Sequence, residues 1–182
     1  MKKLIYVGTS ILLAISLTFC SDDDPVSPGT DDLGEVEISV SGDVQTTFEG
    51  IADFNLMDDI SVNQWELFFN DITPQTFSVQ IFTNNADDME RPSEGTYEIG
   101  SDPNAEEEFT AIFNEYEEDF SDGTEFTTFH DNTGGELVIT ESSVDMIRGS
   151  FTFTAKSVDS ETNQVDGEVE LTSGEFIAVP RE

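Results

Sequence analysis

The chain has 182 residues, 40 of them aspartate or glutamate against six lysines and arginines, so its formal net charge at pH 7 is −34. Affinity for nucleic acids comes largely from lysine and arginine on phosphates, so this charge excludes a nucleic-acid partner and binding to an anionic lipid surface by charge. Cys20 and His130 are the only residues of their types, which excludes an internal disulfide and an ordinary zinc site.

The first 19 residues predict a secretory signal peptide. Lys2 and Lys3 precede the apolar run LIYVGTSILLAISLTF, which is shorter than the roughly 20 residues that a membrane-spanning helix needs. We therefore leave residues 1–19 out of the predicted fold.

Cys20 directly follows this segment, with Leu17 and Thr18 ahead of it. The arrangement resembles the lipobox of bacterial lipoproteins, although Phe19 departs from the small residue that this family has before the cysteine. The resemblance implies that Cys20 becomes the acylated (palmitate-carrying) first residue of the mature chain. Several acyl chains together hold a protein firmly on a membrane.

Acidic residues follow Cys20 at once, in CSDDDP. Ser21, Asp22, Asp23 and Asp24 resemble the export signal of Bacteroidota-type surface lipoproteins. That resemblance implies the outer membrane, with the protein facing the cell surface; a periplasm-facing anchor is the alternative. Residues 20–34 are rich in acids, proline and glycine and cannot pack a core, so we predict a disordered tether there.

From residue 35 onward, apolar residues recur with a period of two. VEISV at 36–40 and GSFTFTA at 149–155 are clear cases, and turn sequences such as NTGG at 132–135 separate the apolar runs. Such alternation predicts half-buried strands. We predict one all-β domain over 35–182, a single antiparallel β-sandwich of about nine or ten strands, with a closed β-barrel as the alternative.

One segment, 104–118, fits two structures. Phe109, Ile112, Phe113 and Tyr116 have helical spacing, whereas Phe109, Ala111 and Phe113 also suit one face of a strand. We favour the strand because its neighbours on both sides are predicted strands.

The C-terminal half carries a second resemblance, in EGTYEIG at 94–100, GELVIT at 135–140, GSFTFTA at 149–155 and VDGEVELTSGEF at 165–176. Together these are similar to a group of uncharacterised β-rich lipoproteins of Bacteroidota and related bacteria. The group has no established activity to carry over. The resemblance implies that its glycines and phenylalanines are turn and core positions.

The sequence contains few of the motifs that are typical of catalytic sites. There is no Gly-x-Ser-x-Gly elbow and no phosphate-binding loop, and His130 lies in the turn sequence HDNTGG. We therefore predict no enzyme and no cofactor. Calcium, which takes six to eight oxygen ligands, is the one ion with candidate ligands. These weak candidates are Asp58, Asp59, Asp87, Asp88 and Asp131.

These observations favour a lipid-anchored extracytoplasmic module that binds or supports another envelope protein or an extracellular ligand. The first alternative is a secreted, glycosidase-like hydrolase that uses two carboxylates. The second is a barrel that carries a small apolar ligand.

Overall fold

The structure is a computed structural model that describes residues 34–59, 62–71, 76–83, 91–100, 109–116 and 123–181, with the backbone alone at 57–59 and 62–63. All of these residues belong to one compact unit, Asp32–Glu182. The predicted signal peptide and all of the predicted tether except residue 34 lie outside this description. Among the described residues, no helix is long and apolar enough to cross a membrane.

Eleven strands lie in the described part of the chain. In chain order they are β1 (Val36–Gly42), β2 (Thr46–Asp59), β3 (Val62–Asp71), β4 (Phe77–Thr83), β5 (Gly95–Ile99), β6 (Thr110–Tyr116), β7 (Gly123–Thr127), β8 (Gly134–Ser142), β9 (Ile147–Val158), β10 (Val165–Ser173) and β11 (Phe176–Pro180).

These strands form one sheet that closes on itself. Each strand in the order β10–β1–β2–β3–β4–β6–β7–β9 pairs with the next, and β9 also pairs with β10, which makes a closed barrel of eight strands. The all-β prediction is confirmed, and the architecture is the barrel alternative rather than the sandwich that we preferred. The reason is that β10 has partners along both edges, β1 on one side and β9 on the other, so the two ends of the sheet meet.

The barrel wall branches at β9, which is 12 residues long. It pairs with β8 from Ile147 to Thr154 on one edge and with β11 from Ile147 to Gly149 on the other. Its second half pairs with β10 and, at one position, with β7. β5 adds to the far edge of β8. On this edge of β9, β8 pairs up to Thr154 and β7 pairs at Lys156, and the candidate site lies beyond Lys156.

The barrel interior is packed with aromatic rings. Phe69 is fully buried and lies 5.1 Å, ring centroid to ring centroid, from both Phe151 and Phe176. Alternate residues of β9 are buried throughout the strand, as the period of two predicts. The other buried phenylalanines of this core are Phe48, Phe54, Phe109, Phe113, Phe126 and Phe153.

The ambiguous segment contains a strand. Residues 110–116 form β6, which pairs with β4 and β7. Ala111 and Phe113 are buried on its inner face, so the strand interpretation is confirmed for these residues. Residues 104–108 and 117–118 lie outside the described part of the chain.

Candidate functional site: the groove between β7 and β9

The barrel wall is held together least at the junction of β7 and β9. These two strands pair at one position, Thr127 with Lys156, whereas β7 pairs with β6 along its whole length. Beyond Thr127 and Lys156 the two strands separate. They leave a groove of about 610 Å³, within the range of about 300–1,000 Å³ that ligand pockets occupy. We call this the β7–β9 groove; it is lined by β7, Phe129, His130, residues 156–160 and Asp166.

Backbone direction shows that both strand edges face this groove. The N–H of Thr128 donates to the carbonyl of Ala111 on β6 (3.0 Å). Because hydrogen-bonding direction alternates along a strand, the backbone groups of Gly123 and Glu125 point to the other side, toward β9.

The edge of β9 is oriented in the same way. The N–H of Phe151 donates to Oγ of Ser173 at the end of β10 (2.8 Å), so the even-numbered residues of β9 point away from β10. If the register continued, Val158 would pair with Glu125, two residues along each strand from the Thr127–Lys156 pair. In the described part of the chain, that pair does not form.

A turn with several side-chain hydrogen bonds forms the β9–β10 side of the groove. Oδ1 of Asp159 accepts hydrogen bonds from the N–H of Thr162 (2.6 Å), from its hydroxyl (2.8 Å) and from the N–H of Glu161 (3.0 Å). The bonds from Thr162, backbone first, hold the pKa of the Asp159 carboxyl below its usual value. Next to this turn, the hydroxyl of Ser157 on β9 donates to Oδ1 of Asp166 on β10 (2.6 Å).

The opposite side is formed by the loop between β7 and β8. His130 lies in this turn, as predicted, and is half-buried. Gly134 ends the turn with φ of 104°, and a Cβ there would collide with the carbonyl oxygen of Ile99, so the position requires glycine. Phe129 is 41% exposed, and its ring makes an edge contact with Phe82 at 6.4 Å.

Carboxylates dominate the charge of the groove. Glu125, Asp159 and Asp166 line it. The ammonium of Lys156 is already engaged, since it donates to the carbonyl of Asp131 (2.8 Å) and lies 3.5 Å from a carboxylate oxygen of Glu168. The Lys156 side chain is only 13% exposed. In the part of the chain that the structure describes, the groove therefore presents negative charge and backbone groups with which no strand pairs.

This arrangement lacks the contacts of a nucleophilic site. Among the described residues, the imidazole of His130 makes no hydrogen bond, and the hydroxyl of Ser157 donates to Asp166 rather than to a histidine. A serine nucleophile needs a base within hydrogen-bond reach. The groove is suited to binding by charge and by backbone hydrogen bonds.

Most of the site residues predicted from sequence lie outside the description. Cys20, Ser21, Asp22, Asp23 and Asp24 do so, as do Asp87 and Asp88. Asp58 and Asp59 end β2, and only their backbone is described.

Asp131 is the one calcium candidate whose side chain is described; it is exposed, and its backbone carbonyl accepts from the ammonium of Lys156. In the described ranges, no group of three or more histidine, cysteine, aspartate or glutamate side chains could hold a metal ion.

The sequence did not point to Glu125, Asp159 and Asp166 as neighbours. The local signals were the Asp159–Thr162 spacing of a side-chain turn and the Asp166-Gly167 dipeptide. Both predict a turn; the turn lies at Asp159–Thr162, whereas Asp166-Gly167 lies within β10 at a shift of register, so that part of the prediction is wrong. Neither signal indicates that β7 lies across from them.

A second polar cluster lies on the outer face of β2, β3 and β4. The guanidinium of Arg181 stacks over the ring of Phe68, 4.5 Å from its centroid, and pairs with Asp53 and Glu66. Gln80 donates to Glu66 (2.6 Å). Burial raises the pKa of the Asp53 carboxyl, and Arg181 opposes part of that rise. This cluster binds the end of the chain to the barrel.

Comparison with known proteins gives a family for the chain. No curated protein and no solved structure matches it significantly. The profile of the DUF6252 family, described as a domain of unknown function, matches residues 78–180, more than half of the chain. The matched region spans β4 to β11 and includes the β7–β9 groove. The chain therefore belongs to the DUF6252 family.

Proposed function

We propose that the chain is a lipid-anchored binding module of the cell envelope, held on the outer membrane through Cys20 and facing the cell surface. The anchor is supported by the sequence around Cys20 and by the three aspartates after it. One structural observation supports the binding role. In the β7–β9 groove, two strands of an otherwise closed barrel turn unpaired edges toward solvent.

Two observations favour binding over the alternative functions. A glycosidase needs a carboxyl whose pKa is raised in its cleft, whereas the pKa of Asp159 in the groove is lowered, and Asp53, whose pKa is raised, lies on β2 and pairs with Arg181. A carrier needs room inside the barrel, where the rings of Phe69, Phe151 and Phe176 pack closely.

The anchor is tested by substitution of Cys20. In growing cells given a palmitate analogue that can be tagged, we expect the native chain to be labelled and to fractionate with the outer membrane. Cys20→Ser removes the acylation site, so we expect neither label nor membrane association. Ser27→Ala, in the predicted tether but outside the export signal, is the matched control and should keep both. A Cys20→Ser chain that still fractionates with membranes contradicts the anchor.

The binding role is tested by site-specific crosslinking in intact cells. A photoreactive amino acid replaces Phe129, which is 41% exposed in the groove, or Val144, which is 69% exposed in the β8–β9 turn. A binding module predicts a discrete adduct from position 129 and none from position 144. If the groove position gives no adduct, or both positions give the same products, the groove is not the binding site.

A further inference from the structure

We propose that the β7–β9 groove takes an extended, lysine- or arginine-containing peptide segment of a partner protein, which adds to β7 as a strand. This inference rests on the proposed binding role and names the chemistry of the partner. Three observations carry it: the direction of the strand edges, the access to them, and the charge around them.

The strand edges supply the hydrogen bonds. The backbone N–H and C=O groups of Gly123 and Glu125 point toward β9, and in the described part of the chain no strand pairs with them there. Val158 presents the same groups from the opposite side of the groove. When a peptide binds by β-augmentation, its backbone forms hydrogen bonds with the unpaired N–H and C=O groups of an edge strand. The Thr127–Lys156 pair closes the groove at one end and so limits how far such a strand extends.

The edge of β7 is accessible. Gly123, Thr124 and Glu125 are exposed, although their neighbours Phe126 and Thr127 are buried. Gly123 has no side chain to cover the edge. The other short strand at an edge, β5, is partly closed, because its last residue Ile99 bridges to Phe109. β7 is likewise paired at one end, by Thr127 with Lys156, so both edges are closed at one end and exposed over the rest.

The charge selects a basic segment. Glu125, Asp159 and Asp166 face a ligand in the groove, while Lys156 is engaged by Asp131 and Glu168. A lysine or arginine side chain would pair with these carboxylates, and its stem would lie against the exposed ring of Phe129. Because the chain carries a formal charge of −34, a second copy that approached edge to edge would be repelled.

The test measures peptide binding to the full-length chain in mild detergent. The probe is a short capped peptide of alternating threonine and lysine with a fluorescent label. One control peptide has glutamate in place of lysine. The other keeps the lysines but carries N-methyl groups on the backbone nitrogens of one edge. The first control removes charge complementarity, and the second removes the hydrogen bonds of an added strand.

We expect the lysine peptide to bind, and the N-methylated peptide to bind about tenfold or more weakly, because it cannot pair with the strand edge. The glutamate peptide should not bind measurably. Glu125→Gln should weaken binding of the lysine peptide by about twofold to fivefold, because it removes one exposed charge pair. Glu136→Gln, an exposed glutamate on β8, is the matched control and should not change its affinity.

Hydrogen exchange locates the bound peptide. The peptide should slow exchange at the amides of Gly123, Glu125 and Val158. Equal affinity for the N-methylated peptide would overturn strand addition and leave only charge attraction. Protection confined to β5, or protection of the groove amides by a dimer without peptide, would also overturn the proposal. A groove adduct from position 129 in cells, together with no binding of the lysine peptide, would contradict this inference and leave the proposed binding role standing.

Discussion

Nη2 of Arg181 lies 2.6 Å from Oδ1 of Asp53, and Nη1 of the same guanidinium lies 3.8 Å from Oε2 of Glu66. The backbone N–H of Arg181 also donates to the carbonyl of Phe54 (2.9 Å). The Glu66 side chain is 6% exposed and that of Asp53 is 19% exposed. One basic residue at the end of the chain therefore neutralises two poorly solvated carboxylates on the outer face of the barrel.

We predict that Arg181→Gln lowers the free energy of unfolding by about 1 to 2 kcal/mol. Removing one partner of a fully buried ion pair costs about 3–5 kcal/mol, and partial exposure of the guanidinium reduces that cost. Urea unfolding at neutral pH measures the change.

The control for this variant is Arg148→Gln. Arg148 has the same side-chain exposure, 36%, but its partners Glu141 and Glu175 are 51% and 64% exposed. We expect a change within about 0.5 kcal/mol for this exposed pair. Equal losses in the two variants would show that burial of Asp53 and Glu66 is not what makes Arg181 important.

The raised pKa of Asp53 predicts a pH-dependent effect of Asp53→Asn. Burial raises this pKa above the ordinary value of 3.8, so ionisation of Asp53 disfavours the folded state at neutral pH. As the pH falls through the raised pKa, the folded state takes up the proton before the unfolded chain does. The native chain should therefore gain stability relative to the non-titrating Asn variant between neutral pH and about pH 4. A difference in unfolding free energy that is constant with pH contradicts this prediction.

Asp159 should show the opposite dependence. Hydrogen bonds from Thr162, and then from Glu161, lower its pKa below 3.8, so its ionised form stabilises the β9–β10 turn at higher pH. This stabilisation is lost as the pH falls through the lowered pKa. Asp159→Ala should destabilise the chain at neutral pH, and the gap from the native chain should narrow in acid. Asp159→Asn keeps an oxygen that accepts hydrogen bonds, so it should lose less stability at neutral pH than Asp159→Ala.

NMR titration of the Asp159 carboxyl carbon measures the pKa directly. A midpoint at or above 3.8 would mean that the turn in solution lacks the hydrogen bonds from Thr162.

Phe69→Ala should lower the free energy of unfolding by about 3 to 5 kcal/mol, because it leaves a cavity between two packed rings. Phe69 is fully buried and contacts Phe151 and Phe176. Phe129→Ala removes the same atoms from a ring that is 41% exposed, so we expect a loss of about 1 kcal/mol or less. Thermal and urea unfolding compare the two variants. Similar losses would contradict a tightly packed interior.

The strands could be predicted because alternation is a local property. Val36, Ile38 and Val40 are buried and Glu37 and Ser39 are exposed, as their order along the chain requires. Alternation alone left β6 ambiguous, and the predicted strands on both sides favoured the strand, in which Ala111 and Phe113 share the inner face. The turn around Gly134 was also predicted, from the sequence NTGG at 132–135. In the structure, the backbone angle of Gly134 and its close approach to Ile99 require glycine.

Closure of the barrel could not be predicted in this way. A sandwich and a barrel need the same alternation of buried and exposed residues, and they differ only in whether the end strands meet. Here β10 pairs with both β1 and β9, across long separations in the chain. The outer cluster depends on similar long-range contacts, because Arg181 meets Asp53 only after β11 pairs with β2.

The buried faces of the strands and turns such as NTGG at 132–135 follow from the sequence, because each depends on residue type and local order. Closure of the sheet and the separation of β7 from β9 beyond Thr127 and Lys156 depend on contacts between distant segments, so they are seen only in the fold. The same holds for Glu125, Asp159 and Asp166, which line one groove. On one edge of β9, β8 pairs up to Thr154 and β7 pairs at Lys156. Two strands from different parts of the chain therefore share this edge.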